Sequence, residues 1–166
     1  QAASYFFFNK GSQYRELLHA LKYHGRQDIG RALGKFYGSE LKSTKFAEGD
    51  LLVPVPLHYM KLRKRGYNQS AAVVAGLSEA LGIPADYTAL KRTKYTETQT
   101  RKNLEERRRN VESVFEIAHP EKFEHKHIIV VDDVVTTGST LAACADEILK
   151  LPGTKVSLLT LAAADH

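Results

Sequence analysis

The sequence has one cysteine and no long apolar run. The single Cys144 cannot form an internal disulfide, and its position on a predicted helix favours a small buried residue in a reducing, cytoplasmic environment. No hydrophobic stretch approaches the ~18 residues that a membrane-spanning helix requires, and no signal-peptide pattern opens the chain. The chain begins at Gln1 without a methionine, which predicts a processed or shortened chain.

Acidic residues are missing from residues 51–70, and the whole chain carries a formal net charge of +5. Residues 91–110 contain eight lysines or arginines against three glutamates. This balance admits anionic partners, either nucleic acid or a polyphosphate, although most charge runs are only solvated faces. A length of 166 residues with 43% hydrophobic content predicts a single domain over residues 1–166.

Apolar periodicity predicts alternating helices and strands. We expect helices over residues 12–23, 28–41, 68–81 and 139–150, and strands over residues 51–55, 114–117, 128–131 and 155–162. In the second helix, Asp28 is expected to be the N-cap and Phe36 to face the core. The alternation is typical of an α/β fold, a mostly parallel twisted sheet flanked by helices.

The most informative motif joins the strand at 128–131 to two acids and a glycine turn. Four consecutive aliphatic residues predict a strand buried on both faces, and Asp132 and Asp133 follow at its carboxyl end, where open α/β sheets bind ligands. The hydroxyls and helix-start N–H groups of the next turn predict a phosphate cradle. Its residues are Thr136, Thr137, Gly138, Ser139 and Thr140.

Each part of this motif also has a plainer interpretation. A Thr-Gly-Ser-Thr sequence is often only a capped turn, and adjacent aspartates can lie in a solvated turn. The ordered combination of apolar strand, acid pair, glycine turn and amphipathic helix favours a site for a sugar phosphate. The hydroxyl groups of such a sugar need hydrogen-bond acceptors, and the two carboxylates supply them.

A basic segment follows the predicted strand at 51–55. We interpret it as a loop that leads to a helix beginning at Asn68, and it could hold a diphosphate because arginine and lysine both suit phosphate oxygens. The candidate diphosphate residues are Leu57, His58, Arg63 and Arg65. The plainer alternative is an ordinary loop whose Asn68 caps the next helix.

A long polar segment over residues 90–115 lacks strong periodicity, which predicts a mobile lid or a β-ribbon. A solvated basic hairpin is the alternative. The candidate lid residues are Arg92, Lys94, Thr98, Gln99 and Arg109.

Taken together, these segments resemble the ComF/GntX family of phosphoribosyltransferase-like proteins. The acid pair and Thr-Gly-Ser-Thr resemble the phosphoribosyl-pyrophosphate (PRPP) signature of type I phosphoribosyltransferases. Pro54-Val55-Pro56-Leu57, Arg65-Gly66-Tyr67-Asn68-Gln69 and Leu21-Lys22-Tyr23 match further family motifs, so the resemblance covers about residues 14–162. Family members commonly carry an N-terminal four-cysteine zinc module, whereas this chain has only Cys144; either the module was removed or the chain is a shortened member.

The resemblance implies a type I phosphoribosyltransferase fold and a PRPP site. The 5′-phosphate would lie in residues 136–140, and the ribose hydroxyls would donate to Asp132 and Asp133, the two catalytic acids. Mg²⁺ would be held through PRPP rather than by a protein cage, with these two acids nearest to it. The basic segment would hold pyrophosphate, the lid would exclude water, and the carboxylates would stabilise positive charge that develops on the ribose.

Three functions follow as alternatives. The first is a Mg²⁺-dependent phosphoribosyltransferase acting on an unidentified nitrogenous acceptor. The second is a PRPP- or nucleotide-binding regulator without turnover, and the third is an accessory protein of DNA uptake (competence) with nucleic-acid-handling partners. Aromatic residues near the basic runs are sparse, which disfavours an autonomous nucleic-acid module. No motif identifies the acceptor.

Overall fold

A computed structural model describes residues 1–8, 14–23, 25–93 and 114–164. Two short 3-10 helices, Lys45–Glu48 and Pro120–Lys122, accompany the main elements. The strands are β1 Ala2–Phe8, β2 Leu51–Pro54, β3 Leu90–Arg92, β4 Phe115–Ile117, β5 His127–Val135 and β6 Lys155–Ala164. The helices are α1 Tyr14–Tyr23, α2 Gln27–Leu41, α3 Tyr59–Arg65, α4 Gln69–Leu81 and α5 Ser139–Ile148.

Four strands form a parallel sheet in the order β1-β6-β5-β2. The long strand β5 lies inside this sheet, where it pairs with β2 through Val131 and with β6 through Val135. Strands β3 and β4 pair separately as an antiparallel ribbon. The prediction of a mostly parallel sheet flanked by helices is therefore confirmed, and the ends of the predicted lid segment form a β-ribbon.

Alternate residues of the central strands face two apolar layers, as expected for a parallel sheet covered on both sides. Ile129, Val131 and Leu159 face the layer that contains α2 and α4, whereas Ile128 and Val130 face α5 and the ribbon. Cys144 of α5 is fully buried in the second layer, in agreement with its prediction as a buried residue.

Helices α2 and α4 pack unusually closely because glycines lie where they cross. A Cβ atom at Gly34 would collide with the carbonyl oxygen of Val73, and one at Gly76 would collide with that of Arg31. Gly30 and Gly38 extend the contact along α2. Glycine lowers helix propensity, so tertiary packing rather than intrinsic preference explains its repeated use in α2.

Several sequence predictions are wrong in detail. Asp28 lies inside the first turn of α2, and the N-cap is Arg26, which makes no side-chain capping bond. Phe36 is 66% exposed rather than inward-facing. The basic loop contains the helix α3, and strand β1 was not predicted at all. In the part of the chain that the structure describes, no helix has the length and apolar character needed to cross a membrane.

Candidate active site

The acid pair lies near the carboxyl end of β5. The strand continues through both acids to Val135, because Asp132, Val134 and Val135 pair with Thr160, Ala162 and Ala163 of β6. The carboxylate of Asp132 accepts hydrogen bonds from the Ser70 hydroxyl at 2.9 Å and from the backbone N–H of Asp133 at 2.9 Å. Since Ser70 lies in the first turn of α4, this helix fixes the orientation of the first acid.

Burial and the neighbouring charge of Asp133 raise the pKa of Asp132 to about 7, in that order of importance. The hydrogen bonds from Ser70 and from the Asp133 backbone act in the opposite direction, because they stabilise the ionised form. The folded protein consequently tends to hold a proton on Asp132 at pH values where an ordinary aspartate is ionised. A cation brought in by a ligand would favour release of that proton.

We expect Asp132→Asn to stabilise the fold above neutral pH. The pKa of Asp132 is about 7 in the folded state against 3.8 ordinarily, so the contribution of this group to wild-type stability is greatest below about pH 4 and is lost as the pH rises to about 7. Asparagine removes this loss and can still accept the Ser70 hydrogen bond. Each pKa unit corresponds to about 1.4 kcal/mol, so the gain at pH 8 is a few kcal/mol at most.

Urea denaturation of both proteins at pH 5 and pH 8 measures this difference. The free energy of unfolding of Asp132→Asn should increase relative to that of the wild type as the pH rises from 5 to 8. An equal difference in unfolding free energy at the two pH values would contradict the raised pKa.

Asp133 makes a different set of contacts. Its Oδ1 accepts a hydrogen bond from the backbone N–H of Val134 at 2.9 Å. Among the described residues no group donates a hydrogen bond to its buried Oδ2, and the Lys22 ammonium lies 3.6 Å from that atom. The second acid therefore keeps an acceptor atom without a hydrogen bond beside a positive charge.

The predicted cradle is a turn at the start of α5. Gly138 directly precedes the helix and has a left-handed backbone conformation with φ 76°. Residues with a Cβ rarely adopt this conformation. The hydroxyls of Thr137 and Ser139 are 3.0 Å apart. One concave pocket joins this turn to the first acid, and it is lined by Asp132, Val134, Val135, Thr136, Thr137, Gly138, Ser139, Thr140 and Leu141.

The segment with the candidate diphosphate residues begins at the same edge of the sheet as the acid pair, because β2 runs parallel to β5. Directly after β2, the backbone N–H of Val55 donates to the carbonyl oxygen of Val131 in β5 at 2.8 Å. Leu57 lies in the connection after β2, and His58 is the N-cap of α3 through a 3.3 Å bond from the N–H of Met60 to its Nδ1. Arg63 and Arg65 lie in the last turn of α3, on a helix instead of the predicted loop.

Asn68 connects this segment to α4. As predicted, it is the N-cap: its side-chain oxygen accepts from the N–H of Ser70 at 3.0 Å. Its side-chain amide also donates to the carbonyl of Val55 at 3.0 Å. The same residue therefore begins α4 and fixes the chain that leaves β2.

Of the candidate lid residues, only Arg92 is described. It lies in β3 with its guanidinium carbon 5.6 Å from the ring centroid of Phe115 in β4. Lys94, Thr98, Gln99 and Arg109 lie outside the described residues.

Sequence reasoning missed three side chains that support the acid pair. Lys22 lies beside Asp133, Ser70 donates to Asp132, and the hydroxyl of Tyr67 donates to the buried backbone carbonyl of Leu21. Burial and the charge of Asp133 raise the pKa of Tyr67. Leu21-Lys22-Tyr23 and residues 65–70 stood out as sequence motifs, but nothing in the sequence indicated that they meet each other.

The sequence model of the phosphoribosyl transferase domain family matches residues 50–166. DNA utilization protein YhgH of Escherichia coli K12 is 36% identical over 138 residues, which is 81% of this chain and 60% of that protein. Competence protein F of Haemophilus influenzae is 31% identical over 153 residues, 89% of this chain and 67% of that protein. This chain thus spans about 60% of the length of the YhgH proteins that it matches.

Two solved structures share the fold. Glutamine PRPP amidotransferase from B. subtilis superposes with a TM-score of 0.59 at 21% identity, over 85% of this chain and 30% of that one. Adenine phosphoribosyltransferase from Thermoanaerobacter pseudethanolicus superposes with a TM-score of 0.51 at 17% identity, over 83% and 82%. The fold is that of the type I phosphoribosyltransferases, and the chain belongs to the phosphoribosyl transferase domain family, among relatives of the ComF type.

Proposed function

We propose that this protein binds Mg²⁺–PRPP and transfers its phosphoribosyl group to a nitrogenous acceptor. The bond between C1 of the ribose and pyrophosphate breaks, a bond from C1 to the acceptor nitrogen forms, and the acceptor loses a proton. One observation carries this proposal: Asp132 and the turn at residues 136–140 line the same concave pocket. An acceptor for sugar hydroxyls and a cradle for an anion are therefore side by side.

The cradle suits the 5′-phosphate. The N–H groups at the start of α5 have no partner within the helix, and their partial positive charge favours an anion. The left-handed Gly138 brings the backbone close to a bound group, and a Cβ there would contact only Val135, at 3.8 Å. The exposed Thr136, Thr137 and Ser139 add hydroxyl donors.

The acid pair suits the ribose and its metal ion. Asp132 lines the pocket and would accept a hydrogen bond from a ribose hydroxyl. Asp133 is not part of the pocket lining, and its Oδ2 is buried without a hydrogen bond from the described residues, so it would have to become accessible to contact the sugar. Mg²⁺ prefers oxygen ligands, retains several waters and would neutralise the leaving pyrophosphate. The two carboxylates would stabilise positive charge on the ribose as the bond to pyrophosphate breaks. Leu57, His58, Arg63 and Arg65 would face the pyrophosphate, with Arg92 on the ribbon.

Mg²⁺–PRPP is expected to stabilise the folded protein. At a ligand concentration ~100 times its dissociation constant, mass action adds about 2.7 kcal/mol to the free energy of unfolding. For a protein of this size that corresponds to an increase in melting temperature of roughly 5–10 °C. Differential scanning fluorimetry of the whole chain measures the increase.

Magnesium pyrophosphate at the same concentration is the control, and its shift should be smaller because it lacks the sugar and the 5′-phosphate. A folded sample whose melting temperature does not change at saturating Mg²⁺–PRPP would refute the PRPP site. Equal shifts with both ligands would assign the binding to the pyrophosphate part alone.

The names of the relatives favour a second candidate, a non-catalytic PRPP-binding accessory protein of DNA uptake. One relative is a competence protein and another a DNA utilization protein. The net positive charge is compatible with nucleic-acid-handling partners. Release of pyrophosphate from PRPP in a screen of nitrogenous acceptors distinguishes the two candidates, since only the enzyme produces it.

A further inference from the structure

The two edges of the parallel sheet differ in their protection against further pairing. Strand β2, at one edge, has four residues and ends at Pro54, and its Leu52 forms an additional bridge with Ala85. The backbone N–H of Leu52 donates to the carbonyl of Pro84 at 2.9 Å, and the N–H of Asp86 donates to the carbonyl of Leu52 at 3.0 Å. A short strand, a proline and additional pairing all prevent the addition of another strand. The edge at β2 is therefore blocked.

Strand β1 forms the opposite edge. Its seven residues, Ala-Ala-Ser-Tyr-Phe-Phe-Phe, include no charged residue and no proline. Among the described strands, only β6 pairs with it. Edge strands are usually protected by lysine, proline, a bulge or a covering segment, because an unprotected strand pairs readily with another chain. We call the side of β1 that faces away from β6 the outer edge.

The register of β1 and β6 shows which backbone groups point to the outer edge. Leu158 of β6 pairs with Ala2 and donates its N–H to the carbonyl of Gln1 at 2.9 Å. The N–H and C=O groups of one strand residue lie on the same side, and this side alternates along the strand. The odd-numbered residues of β1 therefore point to β6. The even-numbered residues, Ser4 among them, direct their N–H and C=O groups to the outer edge.

An exposed aromatic side chain lies on the same side of the protein. Phe36 of α2 is 66% exposed and is two residues from both Gly34 and Gly38, which face α4. Each helical residue turns by about 100°, so Phe36 points almost directly away from α4. Helix α4 covers β2 and β5, whereas α2 lies over β6 and β1, where the ring centroids of Tyr37 and Tyr5 are 4.7 Å apart. Phe36 is therefore on the side of the outer edge.

We propose that two copies of this chain associate through the outer edge of β1, with the two strands antiparallel about a twofold axis. The N–H and C=O groups of Ser4 then pair with the other copy, and the two four-stranded sheets join into one continuous sheet. A twofold contact satisfies two identical outer edges at once, which favours a second copy over an unrelated strand. The uncharged strand lets identical chains meet without like-charge repulsion, although each has a net charge of +5. Because β2 is blocked, association ends at the dimer.

Sedimentation velocity of the whole chain between about 1 and 100 µM tests this association, since a dissociation constant in that range is readily measured. The wild type should change from monomer to dimer as the concentration rises. Ser4→Pro and Ser4→Ala form a matched pair of variants. Both remove the hydroxyl that lies 2.7 Å from that of Thr160, but only proline removes the N–H at the outer edge.

Ser4→Pro should raise the dissociation constant of the dimer by about tenfold or more, because the twofold axis doubles the loss of hydrogen bonding. Ser4→Ala should stay within about threefold of the wild type. Phe36→Glu leaves β1 unchanged and should also weaken the dimer by about tenfold or more, since it places a charge beside the uncharged strand. Leu149→Glu is its control, because Leu149 is 52% exposed after α5, on the opposite face of the sheet.

Circular dichroism first shows which variants are folded. A wild type that stays monomeric at the highest concentration would overturn the inference, and so would growth beyond the dimer. If Ser4→Pro is folded, an equal effect of Ser4→Ala, or no effect of either, would place the contact elsewhere and overturn it. If Ser4→Pro does not fold, the comparison of Phe36→Glu with Leu149→Glu decides in the same way.

Discussion

Gly76→Ala is expected to lower the free energy of unfolding by about 3 kcal/mol or more. The added Cβ would overlap backbone atoms of Arg31 and Lys35 in α2, which cannot rotate away as a side chain can. The two helices must separate, and the packing of Leu77 against the first core layer is lost with them. Overpacking a well-filled interior typically costs about 1–3 kcal/mol, and a collision with rigid backbone belongs at the upper end.

Gly30→Ala is the matched control for this change. It introduces the same methyl group at the same helix pair, but the Cβ would meet side-chain atoms of Ala72 and Leu21, each at 2.9 Å. The Leu21 side chain can rotate away, whereas the Cβ of Ala72 moves only with the backbone of α4, so the loss should be smaller than for Gly76→Ala, about 1–2 kcal/mol. Urea denaturation measures both variants. Similar small losses in both would show that α2 and α4 separate without cost.

The sheet could be predicted because its signal is local. The runs at 128–131 and 155–162 are apolar enough for strands covered on both faces, and the helices between them show clear periodicity. Helix α3 was missed because its seven residues span only two turns and bury none of their side chains. Strand β1 was overlooked although its aromatic run at residues 5–8 favours a strand; only its pairing with β6, distant in the chain, has no local signal.

In the candidate site, too, the features that are local in the chain could be predicted and the contacts between distant residues could not. The two acids and the cradle are contiguous in the chain, so their order alone indicated a ligand-binding turn. The supporting contacts are tertiary: Ser70 and Asp132 are 62 residues apart, and Tyr67 and Leu21 are 46 residues apart. A motif search can find each of these segments, but only the fold shows that α1 and α4 meet at the acid pair.

This arrangement gives the acid pair two different environments. Asp132 is oriented by a hydroxyl and a backbone N–H, and burial raises its pKa. Asp133 has a lysine beside it and an oxygen without a hydrogen bond from the described residues. Because the two environments differ, single substitutions are needed to test each acid separately.

The proposed phosphoribosyl transfer should be slowed about a hundredfold or more by Asp132→Asn and by Asp133→Asn. Both substitutions keep the size of the side chain and remove its charge, so the compensation of developing positive charge is lost. Loss of one preorganised electrostatic contact typically costs on the order of 10²–10³ in turnover. The measurement is pyrophosphate release at saturating Mg²⁺–PRPP and pH 8, where the raised pKa of Asp132 no longer keeps the wild-type pair protonated.

Asp146→Asn is the matched control, because it removes the same charge from an exposed residue of α5, whereas both acids of the pair are partly buried on β5. Its turnover should equal that of the wild type. Asp132→Asn should also be more stable than the wild type at pH 8, so a slow reaction there cannot be attributed to unfolding. Equal rates in the wild type and both acid variants would refute the catalytic role of the pair. The wild type could also bind Mg²⁺–PRPP but release no pyrophosphate with any acceptor in a broad screen. In that case the acids serve only in binding, and the protein is the non-catalytic accessory protein and not a phosphoribosyltransferase.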